Sequence, residues 1–184
     1  LTNAGRAAEA EDFARQAVEL APGHCVAHFC LGNFRQRQGR LADAVACYRR
    51  SLELAPGFAP AASNLACALL ALNSHAEAEE VLGRSLQLAP TYLDSYRNLA
   101  HLYVEQSRFA AAESIYRRAL ALAPDCVDAL ERLAMVVREL GRDGEVEAIC
   151  RQALAVDPAC SSARLLQSIA RLPIVAQTDR KSVV

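Results

Sequence analysis

The sequence lacks tryptophan, has a single methionine and carries almost no net charge. Its 20 Lys and Arg residues are balanced by 21 Asp and Glu residues, so the formal net charge is −1. This composition gives no electrostatic case for nucleic-acid binding, which requires a concentrated basic surface. β-Branched runs and alternating polar and apolar residues are also missing, which excludes a sheet. What remains is an alanine-rich chain with 53% hydrophobic residues, enough to bury a helical core.

Long apolar runs are missing as well. The longest uncharged stretch, 54–76, is interrupted by Pro56, Gly57, Pro60 and several polar residues, so no membrane span is predicted. The seven cysteines are odd in number and no secretory signal is visible, which favours reduced thiols over a disulfide framework. We therefore expect a cytoplasmic protein.

Residue patterns that carry chemistry are also absent. There is no glycine-rich phosphate loop and no Ser-His-acid arrangement, and the carboxylates are scattered along helix surfaces. His24, Cys25, His28 and Cys30 lie close together, but they do not form the two well-spaced ligand pairs that zinc requires. We predict that packing accounts for these four residues, and that the chain is not an enzyme and holds neither a metal nor a cofactor.

A repeat organises the chain instead. Prolines stand at positions 22, 56, 90, 124 and 158, always 34 residues apart, after the segments ELA, ELA, QLA, ALA and AVD. Within one period, Tyr96, Leu99, Ala100 and Tyr103 fall on one face of a helix, and a second apolar face around Tyr116 follows before the next proline. Each period therefore predicts two helices, closed by a proline that cannot continue the second one.

A 34-residue unit of two helices resembles the tetratricopeptide repeat family. The family's leucine and small-residue pair occurs at Leu31-Gly32 and again one, two and three periods later, and its mid-repeat alanine at Ala44, Ala78 and Ala112, with Val146 in the fourth copy. The resemblance covers Gly5 to about Cys160. It implies an all-α fold, a right-handed superhelical solenoid of stacked helix-turn-helix repeats. We expect helix pairs at 25–38 and 41–54, 59–72 and 75–88, 93–106 and 109–122, and 127–140 and 143–156, with turns at Gly39, Asn73, Ser107 and Gly141.

The small residue of the first helix predicts a close helix crossing. Gly32, or alanine at the equivalent place, lets the two helices of a hairpin approach each other, and a larger residue there would overpack. Val146 opposite Ala134 predicts a slightly wider crossing in the fourth copy.

The ends of the chain depart from the pattern. Residues 1–24 predict a partial repeat with only its second helix, from about Ala7 to Leu20 after a turn at Gly5, so we expect the natural protein to extend further N-terminally. Residues 25–160 form four repeats, and 161–172 an end helix on the fourth repeat, with a rotated apolar stripe of Leu165, Leu166, Ile169 and Leu172. Residues 173–184 predict a disordered tail. Its last six residues, DRKSVV, resemble a translated sequencing adapter; the alternative is a genuine C-terminal motif for a PDZ-type groove.

The resemblance also implies where a ligand binds. In this family the first helices line the concave face, and ligand contacts come from fixed positions of each copy. Carried onto this sequence, the predicted groove residues are Phe29, Asn33, Arg37, Asn64, Cys67, Leu70, Arg97, Asn98, His101, Glu105, Glu131, Met135 and Arg138. Asn64 and Asn98 occupy the same slot, which resembles the asparagine ladder of O-linked N-acetylglucosamine transferases. An amide both donates and accepts hydrogen bonds, so it can hold a peptide backbone without reading side chains.

The groove residues differ along the chain. The first two copies are apolar and the last two charged, which predicts a peptide with an apolar anchor over the first two copies and a basic residue near Glu105, Glu131 and Glu139. The family's clamp for a terminal carboxylate is excluded. Asn33 and Asn64 match its amides, but Phe29, Asp94 and Asn98 stand where its basic residues belong.

These patterns predict a non-catalytic scaffold, monomeric as a fragment, that binds a protein or peptide and neither nucleic acid nor membrane. One alternative is the targeting arm of a larger glycosyltransferase, sulfotransferase or methyltransferase whose catalytic part lies outside this chain. Another is a structural spacer without a ligand.

Overall fold

The computed structural model describes residues 3–170, with side chains from residue 10 onward. This part of the chain is helical throughout its ten elements and contains no strand, so the predicted all-α class is confirmed. The helices are α1 (Asn3–Leu20), α2 (Cys25–Arg37), α3 (Leu41–Leu54), α4 (Ala59–Ala71), α5 (His75–Leu88), α6 (Leu93–Glu105), α7 (Phe109–Leu122), α8 (Val127–Glu139), α9 (Asp143–Val156) and α10 (Ser161–Ala170). From α2 to α9, every predicted helix boundary is correct to within one residue.

Each hairpin turn uses the same backbone geometry. Gly39, Asn73, Ser107 and Gly141 all have positive φ, between 57° and 75°. The amide of the residue after each of them bonds to a carbonyl five residues back, as from Arg40 to Arg35 at 2.9 Å. This left-handed helix stop satisfies carbonyls that the helix end leaves open, and glycine or asparagine adopts it most readily.

The second helix of each hairpin ends because of the proline that follows. Ala55, Ala89, Ala123 and Asp157 precede the prolines and have extended φ values between −126° and −142°. Proline's ring excludes the helical conformation from the residue before it. The chain therefore turns out of the helix at the same place in every copy, and the next hairpin starts in register.

The chain divides into two compact units, the first ending at Leu102 and the second beginning at Tyr103. In the first unit, α1 packs on α2, α2 on α3, α3 on α4 and α4 on α5, and the two first-type helices α2 and α4 also touch. Fully buried side chains lie at these contacts, among them Tyr48, Leu65, Leu69 and Leu82. Each hairpin therefore draws its core from itself and its neighbours.

In the second unit, α7 packs on α8, α8 on α9, and α10 on both α8 and α9. Its core contains Leu130, Val137, Val146 and Cys150. The end helix α10 is buried through Ala163 and Leu166, whereas Leu165 is 63% exposed. The predicted apolar stripe is therefore wrong at Leu165, because the buried face of α10 contains Ala163 and Leu166 and points away from Leu165.

The N-terminal end of the chain also differs from expectation. α1 begins at Asn3, so Gly5 lies within a helix and not in the predicted turn. Leu172 and the tail 173–184 lie outside the described residues. No helix in the described part of the chain is long and apolar enough to cross a membrane.

Candidate peptide-binding groove

Four predicted groove residues of the first unit meet around one surface depression. Asn33 and Arg37 come from the end of α2, and Asn64 and Cys67 from the middle of α4. Together with Gln36 they line a depression of about 350 Å³, which we call the amide pocket. The helices place these residues together because they occupy corresponding faces of two neighbouring first helices that are in contact.

A chain of hydrogen bonds forms one wall of the amide pocket. The Asn64 side-chain nitrogen donates to Asn33 Oδ1 at 2.7 Å. The Tyr48 hydroxyl, reaching from α3, lies 2.8 Å from the same Asn33 oxygen and 2.6 Å from Gln36 Oε1. Burial raises the pKa of Tyr48 to about 12, so its hydroxyl keeps its proton even in moderately alkaline solution. The pocket's amides are therefore held in place by a buried phenol.

Asn98 repeats this arrangement one copy later. Its side-chain nitrogen donates to Ser63 Oγ at 2.7 Å and lies 3.4 Å from Cys67 Sγ. Asn64 and Asn98 thus each reach back to the preceding first helix. One amide nitrogen carries two hydrogens and the amide oxygen accepts twice, so hydrogen-bonding capacity remains for a ligand.

The apolar predicted residues of the first unit are partly buried. Phe29 packs edge-on against Phe58, with ring centroids 5.2 Å apart, and lies 6.0 Å from the ring of Tyr48. Leu70 is half-buried on α4. Burial raises the pKa of the Cys67 thiol above its usual value. Phe29 and Leu70 therefore offer partly exposed apolar surface, and Cys67 lines the amide pocket as a thiol and not as a thiolate.

The charged predicted residues are mostly exposed. In the first unit, Arg37 and His101 are exposed, and Arg97 pairs with Asp94 at 2.9 Å. In the second unit, Glu105 is exposed, and Arg138 lies 3.5 Å from Glu139. Pairs of this kind on a surface contribute little to stability, and they leave the groups accessible to a ligand.

Glu131 and Met135 of α8 have different surroundings. The Glu131 carboxylate accepts a hydrogen bond from Cys160 Sγ at 2.7 Å and another from the Ser162 hydroxyl. Glu131 therefore helps to hold the start of α10 in place. Its prediction as a groove residue did not indicate this structural role. Met135 is 50% exposed and offers a flexible apolar surface.

The histidine and cysteine cluster near residue 24 has structural partners. His24 Nδ1 accepts from the Ala27 amide at 3.3 Å, and His28 Nε2 lies 2.9 Å from the Pro22 carbonyl oxygen. Within the described residues, no group of three or more His, Cys, Asp or Glu side chains could hold a metal ion. All seven cysteines are free thiols.

Three contributors to the site, Tyr48, Gln36 and Ser63, are not among the predicted groove residues. The sequence offered one sign for Tyr48. It is a tyrosine, not a phenylalanine, in a fully buried slot, and buried tyrosine hydroxyls usually have a hydrogen-bond partner.

Helical hairpins in a constant 34-residue register, with polar side chains where neighbouring first helices meet, define a helical-repeat protein. Two models of the tetratricopeptide repeat match residues 24–91 and residues 97–158. The chain belongs to the tetratricopeptide repeat family.

Solved structures with the same fold agree. YrrB, described as a TPR protein with an unusual peptide-binding site, has a TM-score of 0.72 at 18% identity, covering 91% of this chain and 85% of that chain. MamA gives 0.75 at 19% identity, covering 84% and 90%. A tetratricopeptide repeat protein from Parabacteroides merdae ATCC 43184 gives 0.76 at 19% identity, covering 97% and 70%. No curated protein matches the sequence.

Proposed function

We propose that the chain is a non-catalytic scaffold that binds an extended segment of another protein, and that the amide pocket is its main contact. The observation that carries this proposal is the convergence of Asn33, Gln36, Arg37 and Asn64 on one depression of about 350 Å³. An extended peptide exposes alternating N–H and C=O groups, and side-chain amides complement both.

The residues around the pocket suit this role. Arg37 adds guanidinium donors at the rim, which bind peptide carbonyls or a carboxylate. Phe29 and Leu70, both half-buried, supply apolar surface for a side chain of the ligand. The positions of the two pocket helices are fixed by a packed core, so the ligand meets groups that are already ordered, which lowers the entropic cost of binding.

The second unit supports the prediction of a basic ligand residue. Glu105 and Glu139 are exposed and Glu131 is half-buried. A lysine or arginine of the ligand would give up part of its hydration to pair with these carboxylates. The resulting gain in binding free energy is modest, and added salt reduces it.

The test is a selection of peptides from a random displayed library on the whole chain, followed by fluorescence-anisotropy titration of the selected sequences. Replacing Asn64 and Asn98 together by Ala removes two amides, and Arg37→Gln removes the rim charge. We expect each change to weaken binding about fivefold or more, since one hydrogen bond contributes about 1 kcal/mol.

Matched controls are Gln87→Ala and Arg50→Gln, which remove an exposed amide and an exposed guanidinium from α5 and α3. Thermal unfolding monitored by circular dichroism shows that every variant is folded. The proposal fails if the library yields no binder, or if selected peptides bind the groove variants as tightly as the controls. Equal enrichment of Lys and Glu at all peptide positions would reject the basic-residue preference alone.

A further inference from the structure

Five prolines recur every 34 residues, at positions 22, 56, 90, 124 and 158. In four of these five, a side chain contacts the carbonyl oxygen of the proline. Six residues after the proline, a side chain reaches back to its carbonyl oxygen: His28 to Pro22 at 2.9 Å, and Tyr96 to Pro90 at 2.8 Å.

The carbonyl oxygens of Pro158 and Pro124 also accept hydrogen bonds from side chains. Arg164 donates to the Pro158 carbonyl, again from six residues further on. Pro124 accepts from Gln152 of α9 at 3.5 Å. A side-chain donor at this carbonyl is therefore a regular part of the repeat.

Pro56 is the exception. Six residues after it stands Ala62, whose side chain is a methyl group and cannot donate a hydrogen bond. Within residues 10–170, none of the observed side-chain hydrogen bonds ends at the Pro56 carbonyl oxygen. In the corresponding slot of the third copy, the whole phenol ring of Tyr96 is buried, with 3% exposure. The second copy thus lacks both the ring and the hydrogen-bond donor that the third copy has.

A cavity lies at this place. It has a volume of about 460 Å³. Its walls are Pro56 with the apolar side chains Leu52, Ala62, Leu65 and Val81, and its rim is polar or charged, formed by Arg49, Glu53, Glu77, Arg84 and Ser85. This volume is in the range of pockets that hold small ligands. The ion pair between Arg49 and Glu77, 2.5 Å apart, joins α3 to α5 along the lining. None of the predicted groove residues contributes to it.

We propose that this cavity, the Pro56 pocket, is a second binding site, and that it accepts the side chain of a tyrosine from a partner protein. The ring takes the place that Tyr96 fills in the third copy, between Leu52, Leu65 and Val81, and its hydroxyl donates to the Pro56 carbonyl oxygen. Phenylalanine fits the apolar walls but leaves that acceptor without a donor, so tyrosine is preferred.

The test uses two amino-acid derivatives that differ by one hydroxyl, N-acetyltyrosinamide and N-acetylphenylalaninamide. Each is titrated into the isotope-labelled chain and followed by two-dimensional NMR. We expect the tyrosine derivative to bind about fivefold more tightly, and its ring protons to show nuclear Overhauser contacts with methyl groups of Leu52, Leu65 and Val81 in the unaltered chain.

Two variants fill the pocket from within. Ala62→Tyr places a phenol where the third copy has one, and Ala62→Phe places a ring without a hydroxyl. Both should abolish binding of the tyrosine derivative, whereas Ala121→Tyr, an added tyrosine on the exposed surface of α7, should leave binding unchanged.

Equal affinity for the two derivatives, Overhauser contacts only elsewhere on the chain, or undiminished binding by Ala62→Tyr would each overturn the proposal. Because the contacts are measured on the unaltered chain, the outcome does not depend on the variants folding. The amide pocket is untouched by these changes, so failure here leaves the proposed function standing.

Discussion

Gly32 of α2 lies directly against the ring of Tyr48 of α3. A Cβ atom on Gly32 would lie 2.6 Å from Cε1 and 2.8 Å from Cδ1 of that ring, closer than real Cβ contacts. Tyr48 is fully buried, so its ring cannot swing into solvent. The glycine therefore sets how closely the two helices of the first hairpin approach, as the sequence predicted from the small residue at this place.

Gly32→Ala should lower the free energy of unfolding by about 1 kcal/mol, measured by urea denaturation. Overpacking costs about 1–3 kcal/mol, and alanine's better helix propensity returns about 1 kcal/mol. The matched control is Gly83→Ala, in the interior of α5, where an added Cβ meets no atom within 4 Å. That change should stabilise the chain by about 0.5–1 kcal/mol. A stabilising effect at both positions would contradict the steric account.

Ser107→Gly should stabilise the chain by about 0.5–1 kcal/mol. Ser107 has a φ of 57°, where a side chain costs about 1–2 kcal/mol, and the added freedom of glycine in the unfolded chain offsets part of the gain. The reciprocal change, Gly141→Ala, meets no atom within 4 Å but places a side chain at a φ of 74°, so it should destabilise by a similar amount. Thermal melts of both variants check this, and changes of the same sign would contradict it.

Tyr48 should make stability fall in alkaline solution. Its pKa is raised from about 10 to about 12 by burial, so between these values the unfolded chain loses a proton that the folded chain keeps. Stability is therefore complete below pH 10, falls as the pH rises from about 10 to 12, and levels off above that. Urea denaturation across this range should show a loss of roughly 2–3 kcal/mol, at about 1.4 kcal/mol per pKa unit.

Tyr48→Phe removes this dependence and separately costs about 0.5–1.5 kcal/mol at neutral pH, because the one phenolic hydrogen within reach of the Asn33 and Gln36 oxygens is lost. The control is Tyr92→Phe, at a half-buried tyrosine, which should retain most of the alkaline slope. An unchanged slope in Tyr48→Phe would assign the alkaline loss to other groups.

Glu145 should contribute to loss of stability in acid. Hydrogen bonds from Arg117 lower its pKa below 4.5, with further help from Arg142. A carboxyl group with a lowered pKa stabilises the folded chain above its unfolded pKa, and this contribution disappears as the pH falls through the folded value. Glu145→Gln should therefore flatten the decline of stability below about pH 4.5, by a few tenths of a kcal/mol for so exposed a group.

The matched variant for Glu145 is Glu53→Gln, which removes an exposed carboxylate that pairs with Arg50 of the same helix at 2.8 Å. It should leave the acid profile nearly unchanged. Acid titration of the circular-dichroism signal compares the two. Identical profiles for both variants would show that the network between α7 and α9 has no special role.

The helices could be predicted from sequence because local and long-range signals agree. Each proline ends a helix by excluding the helical conformation from the residue before it, and each positive-φ residue ends another. Both signals recur at the same interval, so the boundaries from α2 to α9 follow without knowledge of packing. Leu165 was predicted wrongly because α10 departs from the repeat, and its contacts with α8 and α9 decide which face is buried.

The site was less predictable, because the repeat spacing shows where on a helix a residue lies and does not show which side chains it contacts. Asn33, Arg37, Asn64 and Cys67 were placed on the correct helices, and the structure brings them together at one pocket. The sequence could not show that Tyr48 reaches them from α3, nor that Glu131 accepts from Cys160 and Ser162. Such contacts depend on side-chain direction across neighbouring helices.

The hydrogen bond between Tyr48 and Asn33 allows ligand binding to the first repeat to be detected through the ultraviolet absorption of Tyr48. A ligand that takes over the Asn33 oxygen removes an acceptor from a buried phenol, and the ultraviolet absorption of that phenol shifts when its hydrogen bonding changes. The chain has five tyrosines and no tryptophan, so no indole band covers the signal. Occupancy of the amide pocket can thus be followed by difference absorption, without attaching a label to either molecule.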